Sequence, residues 1–195
     1  RSELVLYNGV DTTKFYPIEK KKGNIFTVGC VANFWEIKDH ITLIKSVKKI
    51  VKEGKKIKLR LIGSGPTLNT CLLFVKNNNL SKNIIFEKEI KHEKLNQFFN
   101  EIDLFVLPSY YEALGCVYLE SWATNTPFIA VRNQGISELI PDDMKDNFLV
   151  SKSDELNLSK RILDFKNNTV LFPFDEKYNI KNTISNFLKN QVFDE

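Results

Sequence analysis

Short apolar runs and segments of helical period alternate along almost the whole chain, and few folds accept that order. Residues 25–32, 57–62, 83–86, 104–107, 127–131 and 148–150 read as strands. Between them lie helical stretches at 41–51, 68–76, 92–100, 115–124 and 156–165, one helical turn at 136–140 and a last helix at 177–191. Within 41–51, Ile41, Ile44, Val47, Ile50 and Val51 recur at the spacing of a single helix face. Strands separated by helices require crossovers, and crossovers join parallel strands. Most of these strands are apolar without in-and-out alternation, which suits a sheet covered on both faces. The expected fold is therefore a Rossmann-like three-layer α/β domain, with a parallel sheet of about six strands and helices on both sides.

A chain of 195 residues, 43% hydrophobic and 27% charged, suits one soluble domain with its own core. We take 1–195 as that domain, with 1–17 as a lead-in segment and 175–195 as a terminal helix. No apolar run is long enough to cross a bilayer. The opening Arg1-Ser2-Glu3 has neither an initiator Met nor a signal peptide, as expected of a segment cut from a longer chain. Cys30, Cys71 and Cys116 form no CxxC pair and no Cys/His cluster. Their odd count and wide spacing point to a reducing compartment and give no metal-ligand pattern. The formal charge of +4 is spread over helix faces, as at Lys45, Lys48, Lys49 and Lys52. A solvated surface accounts for it, contact with anionic lipid or nucleic acid is the sharper alternative, and no nucleic-acid module is present.

In open parallel sheets ligands bind beyond the carboxyl ends of the strands, so the loops after Ala32, Ile62, Phe86, Leu107 and Val131 are the places to search. The richest is 108–120, which runs from a strand end through a loop into a helix. Glu112 stands just before that helix and Glu120 about two turns inside it, with Gly115 between. If most of the span were helical, the carboxylates would lie about 10 Å apart. A helix N-terminus offers free N–H groups and a positive dipole end to an anion, and glycine there allows a close approach to the backbone. Carboxylates on either side offer acceptors for paired hydroxyls. By spacing alone the two acids also suit an ordinary loop acid and a helix-face acid.

In this context the segment is similar to the E-x7-E motif of retaining GT-B glycosyltransferases, especially family 4. Further similarities follow in order: Tyr7-Asn8-Gly9-Val10-Asp11 with Phe15 and Pro17; Val28-Gly29 and Lys38-Asp39-His40; 61–66; 104–109; and Gly135 with Glu138. The chain resembles the C-terminal, donor-binding half of that fold over roughly 5–190, with the N-terminal acceptor domain absent.

The resemblance implies roles. Glu120 would hold the ribose hydroxyls of a nucleoside diphosphate sugar, with uridine as the default base. Glu112 would hold the transferred sugar. Backbone N–H groups of Leu114, Gly115 and Cys116 would meet sugar and diphosphate. Lys38 would stabilise charge on the leaving group. Ile90 would contact the base through its backbone. No metal is expected, and Asp142-Asp143 forms no DxD motif. Many relatives carry an arginine where this chain has Asn33, so one cation on the diphosphate is lost. Leu114 replaces an aromatic, Gln134 the first of a glycine pair, and Lys88 a glycine. The implied activity is transfer of a sugar with retention to a hydroxyl of an acceptor glycan or lipid-linked glycan, in bacterial surface polysaccharide or glycolipid synthesis. The implied setting is the cytoplasm, with peripheral contact at the inner membrane face. The isolated domain is expected to be inactive. A non-catalytic nucleotide-sugar-binding module and a GT-B-fold sugar-nucleotide epimerase are the alternatives.

The remaining candidates have plainer readings. Gly63 and Gly65 read as a turn, since no Gly-Lys-Ser/Thr follows. His40 and His92 read as surface or capping residues, Glu138 as structural, and Cys116 as a small packing residue. Trp35 and Trp122 read as packing anchors, with an acceptor cleft as the alternative for Trp35.

Overall fold

The computed structural model describes residues 7–19, 23–168 and 170–190. The outermost parts of the expected lead-in segment and terminal helix, 1–6 and 191–195, lie outside them. Six strands, β1 (Phe26–Val31), β2 (Ile57–Ile62), β3 (Ile84–Glu87), β4 (Leu104–Val106), β5 (Phe128–Val131) and β6 (Leu149–Val150), form one sheet in the order β3-β2-β1-β4-β5-β6. Every pairing is parallel, so the Rossmann-like expectation holds. The chain winds outward from β1 to β3, then returns to place β4 on the other side of β1. Such a reversal leaves a crevice at the carboxyl ends of β1 and β4, where neighbouring loops diverge.

Helices α1 (His40–Lys52), α2 (Leu68–Asn77), α3 (Leu95–Glu101), α4 (Cys116–Ala123), α5 (Lys145–Phe148), α6 (Glu155–Asn167) and α7 (Ile180–Asn190) cover the sheet. Of the face predicted for α1, Ile44, Val47 and Ile50 are buried while Ile41 and Val51 are half-buried; Leu43 is buried as well, and α6 packs alongside. Asp39 caps this helix, its side chain accepting from the Thr42 N–H, and Lys49 and Lys52 close it in keeping with the helix dipole. Helix α4 differs: everything from Tyr118 to Ala123 is buried, which leaves only its first turn at the surface. Phe99, Phe105, Tyr118 and Phe128 form a continuous run of tilted and edge-on rings at centroid distances of 5.4–5.7 Å, which ties α3 and α4 to the sheet.

Several boundaries depart from expectation. The 92–100 helix is a 3-10 turn, His92–Lys94, followed by α3. Phe148 belongs to α5 and shortens the last strand. The terminal helix is interrupted after a 3-10 turn at Glu176–Tyr178, because extended Asn179 accepts from the Lys181 N–H and starts α7 afresh. Around that break the Val10 N–H donates to the Tyr178 carbonyl and the Ile180 N–H to the Val10 carbonyl, so lead-in and terminal segments are laced together.

Candidate functional site

The switch point is where Lys38 and Glu112 meet. Lys38 ends a 3-10 turn, Glu36–Lys38, after β1, and Glu112 lies in the loop after β4. Lys38 Nζ is 2.5 Å from Glu112 Oε2, with side chains only 20% and 17% exposed. A second contact joins the two loops, the Tyr110 N–H donating to the Ile37 carbonyl at 3.1 Å.

The β4–α4 loop is shaped from behind by the loop after β5. The Glu112 N–H donates to Gln134 Oε1 at 2.8 Å, and the Gly135 N–H donates to the Glu112 carbonyl at 3.4 Å. A Cβ on residue 135 would stand 1.5 Å from the Ala113 carbonyl oxygen, so only glycine lets the loops cross here. Gln134, read from sequence as a departure, is thus the side chain that holds the backbone of Glu112.

Gly115 caps α4 with φ +74°, a conformation that disfavours side chains, and its missing Cβ leaves room for the Tyr118 ring and the Glu112 side chain. As a glycine, the N-cap offers this helix no side-chain cap. Leu114 is buried, so its backbone alone can face a ligand, while Cys116 is exposed. The residue read as a small packing group is thus exposed, but its Sγ accepts from Asn8 Nδ2 at 3.6 Å, and partial desolvation of the sulfur followed by the charge of Glu120 pushes its thiol up, away from a reactive thiolate. The helix supplies only the second half of the stretch between the two acids, about 6 Å of rise. The loop sets the rest, so the all-helical spacing does not apply.

Glu120 lies in the second turn of α4 and is 6% exposed. Its Oε1 is 2.8 Å from His92 Nε2, and its Oε2 is buried without a hydrogen-bond partner among the described residues. Burial raises the Glu120 carboxyl pKa, and the His92 bond opposes that rise. Ile90, in the same loop as His92, is half-buried against the core. Asn33 is exposed beyond β1, and Lys88 beyond β3.

One histidine keeps its sequence reading and one corrects it. His92 is a surface residue as expected, its side chain 60% exposed, but it is bonded to Glu120. Its place two residues past Ile90, at a strand's carboxyl end, was the signal available in the sequence. His40 is 2% exposed and stacks on Phe34 at 4.0 Å and 12°. Neither of its ring nitrogens has a partner, and burial, then the nearby Lys38 charge, lowers its pKa to about 4. The residues read as structural are engaged accordingly. Glu138 accepts from the Tyr7 hydroxyl at 2.7 Å, and Trp122 Nε1 donates to the Phe172 carbonyl at 2.9 Å. The turn at 63–66 supports the β1 loop, its Ser64 carbonyl accepting from the Phe34 N–H at 2.7 Å. Trp35 is 56% exposed, not a packing anchor.

Among the described residues no group of three or more His, Cys, Asp or Glu could hold a metal, and no helix is long and apolar enough to cross a membrane. A cavity of 590 Å³ lies elsewhere, among Trp122, Leu139, Phe172 and Tyr178.

An open parallel sheet with two acids and a lysine around its switch-point helix defines a Rossmann-like domain of the GT-B type. The chain belongs to the glycosyl transferases group 1 family, whose model matches residues 11–184. It is 28% identical over 167 residues to the capsular polysaccharide biosynthesis glycosyltransferase CapM of Staphylococcus aureus, a match covering 80% of this chain and 42% of that protein. The C-terminal domain of the group 1 glycosyl transferase LpcC from Francisella tularensis superposes with a TM-score of 0.72 at 22% identity, covering 96% of this chain and 100% of that one. Anabaena HepE, in complex with UDP and glucose, superposes with a TM-score of 0.79 at 16% identity over 96% of this chain and 56% of that one. The chain spans less than half the length of its sequence relatives.

Proposed function

We propose that this chain is the donor-binding half of a retaining glycosyltransferase, taking a nucleoside diphosphate sugar, with UDP-sugar as the first choice. One observation carries the reading: Lys38 and Glu112 meet at the switch point, beside an α4 N-terminus whose N-cap, Gly115, has no side chain and that leads to the buried acid Glu120. In this reading the diphosphate lies over the start of α4 and takes over the Lys38 ammonium. Glu112, released from that pair, accepts hydroxyls of the transferred sugar, and Glu120 accepts those of the ribose. Charge builds on the diphosphate as the glycosidic bond breaks, and Lys38 stabilises it where it develops. The UDP and glucose in HepE support the ligand class.

The acceptor half of the cleft belongs to a further domain, so these residues alone give negligible transfer, because reaction needs both substrates held in mutual orientation. The acceptor is a glycan or lipid-linked glycan of a surface polysaccharide, a reading supported by the name of CapM. In our reading the reaction is cytoplasmic, with peripheral contact at the inner membrane face, and uses no metal. The test is calorimetric titration of the folded domain with UDP, ADP and GDP. Binding of one of them supports the reading, and no binding by any at millimolar concentration ends it.

A further inference from the structure

Resting on the donor-site reading, we propose that His92 is the positioning residue of the ribose site, holding one oxygen of Glu120 so that the other is presented to the sugar of the nucleotide. The observation is a division of labour within one carboxylate. Oε1 is engaged by His92 Nε2 at 2.8 Å, while Oε2 is out of solvent and has no partner among the described residues. A buried carboxylate oxygen without a donor is unfavourable, and a ligand hydroxyl is a fitting partner for it.

The imidazole, with its side chain 60% exposed, has one further contact. Its ring meets the edge of Phe15 at 5.2 Å and 70°, and Phe15 is buried and packs on Phe99 of α3. His92 opens the 3-10 turn that follows β3, two residues beyond Ile90, so one loop supports both the base contact and the ribose acid. With the Nε2 proton donated to Glu120, the side chain of α4 loses a torsional freedom that ribose binding would otherwise have to remove. The same bond favours the ionised carboxylate against the effect of burial, and only the ionised form offers acceptors at both oxygens.

The experiment has two arms. In the free protein, long-range proton–nitrogen NMR of the His92 ring should show the Nε2–H tautomer, and Glu120→Gln should alter that signature. In the second arm, UDP, ADP, GDP, their 2′-deoxy forms and inorganic pyrophosphate are titrated into wild type, His92→Ala and His92→Gln. Wild type should prefer the best ribonucleotide over its deoxy form by about tenfold. His92→Ala should erase most of that preference and leave pyrophosphate affinity unchanged, and His92→Gln, which keeps an N–H donor, should restore it. An undiminished preference in His92→Ala, or an equal loss for pyrophosphate, overturns the role of His92 alone. Wild type that binds no nucleotide while the NMR shows the bond overturns the donor-site reading, and this inference with it.

Discussion

Lys38 and Glu112, 74 positions apart in sequence, form a 2.5 Å ion pair across the switch point of the sheet. The pair keeps a mostly buried cation and anion neutral together, and each is a group that a charged or hydroxylated ligand would claim. Removing the lysine should therefore act on the phosphates. Lys38→Ala should weaken nucleoside diphosphate binding by about tenfold or more, the worth of a charge-assisted hydrogen bond. The loss should shrink as salt rises, because screening already weakens the wild-type interaction. Calorimetry at two ionic strengths checks this, and an equal loss at both would contradict the role.

Glu120 should separate nucleotide from phosphate. Glu120→Ala should lower affinity for the best-binding nucleoside diphosphate by about tenfold while leaving inorganic pyrophosphate unaffected. Parallel titrations decide it, and equal losses would place the acid nearer the phosphates than the ribose.

Gly135 should prove structurally indispensable despite its distance from the acids in sequence. Alanine there would put a Cβ 1.5 Å from the Ala113 carbonyl oxygen, a backbone atom that cannot swing away. We expect Gly135→Ala to cost about 3 kcal/mol, or roughly 6–12 °C in melting temperature for a domain of this size. Calorimetric melting is the measurement, and a wild-type Tm would show that the crossing is looser than the geometry requires.

His40 should impose an acid limit on stability. It is buried and neutral in the fold, with a pKa lowered from 6.5 to about 4 by burial and by Lys38. Below pH 6.5 the unfolded chain takes up a proton that the folded chain does not. Stability is thus full above 6.5, falls as pH drops towards about 4, and loses nothing further from this group beyond that point. The whole effect is at most about 3 kcal/mol. In His40→Leu, urea unfolding across that window should be flatter with pH than in wild type. An unchanged slope would assign the acid sensitivity to other groups.

The sequence by itself determined the layers, the sheet and the segment from Glu112 to Glu120. Each rests on local periodicity, on turn residues, or on acids spaced along one continuous strand–loop–helix unit. It also placed Lys38 and Gly135 through their resemblance to a known pattern. Tertiary structure alone decided which groups meet. Lys38 reaches Glu112, Gln134 supports the Glu112 backbone, and His92 bonds Glu120 because strands distant in the chain lie side by side. The opposite fates of the two histidines have the same origin. Each follows a strand end and each read as a surface residue, but packing sealed His40 beneath Phe34 and left His92 at the rim, within reach of a buried acid. Burial and long-range pairing depend on the whole fold, and no local pattern in the chain encodes them.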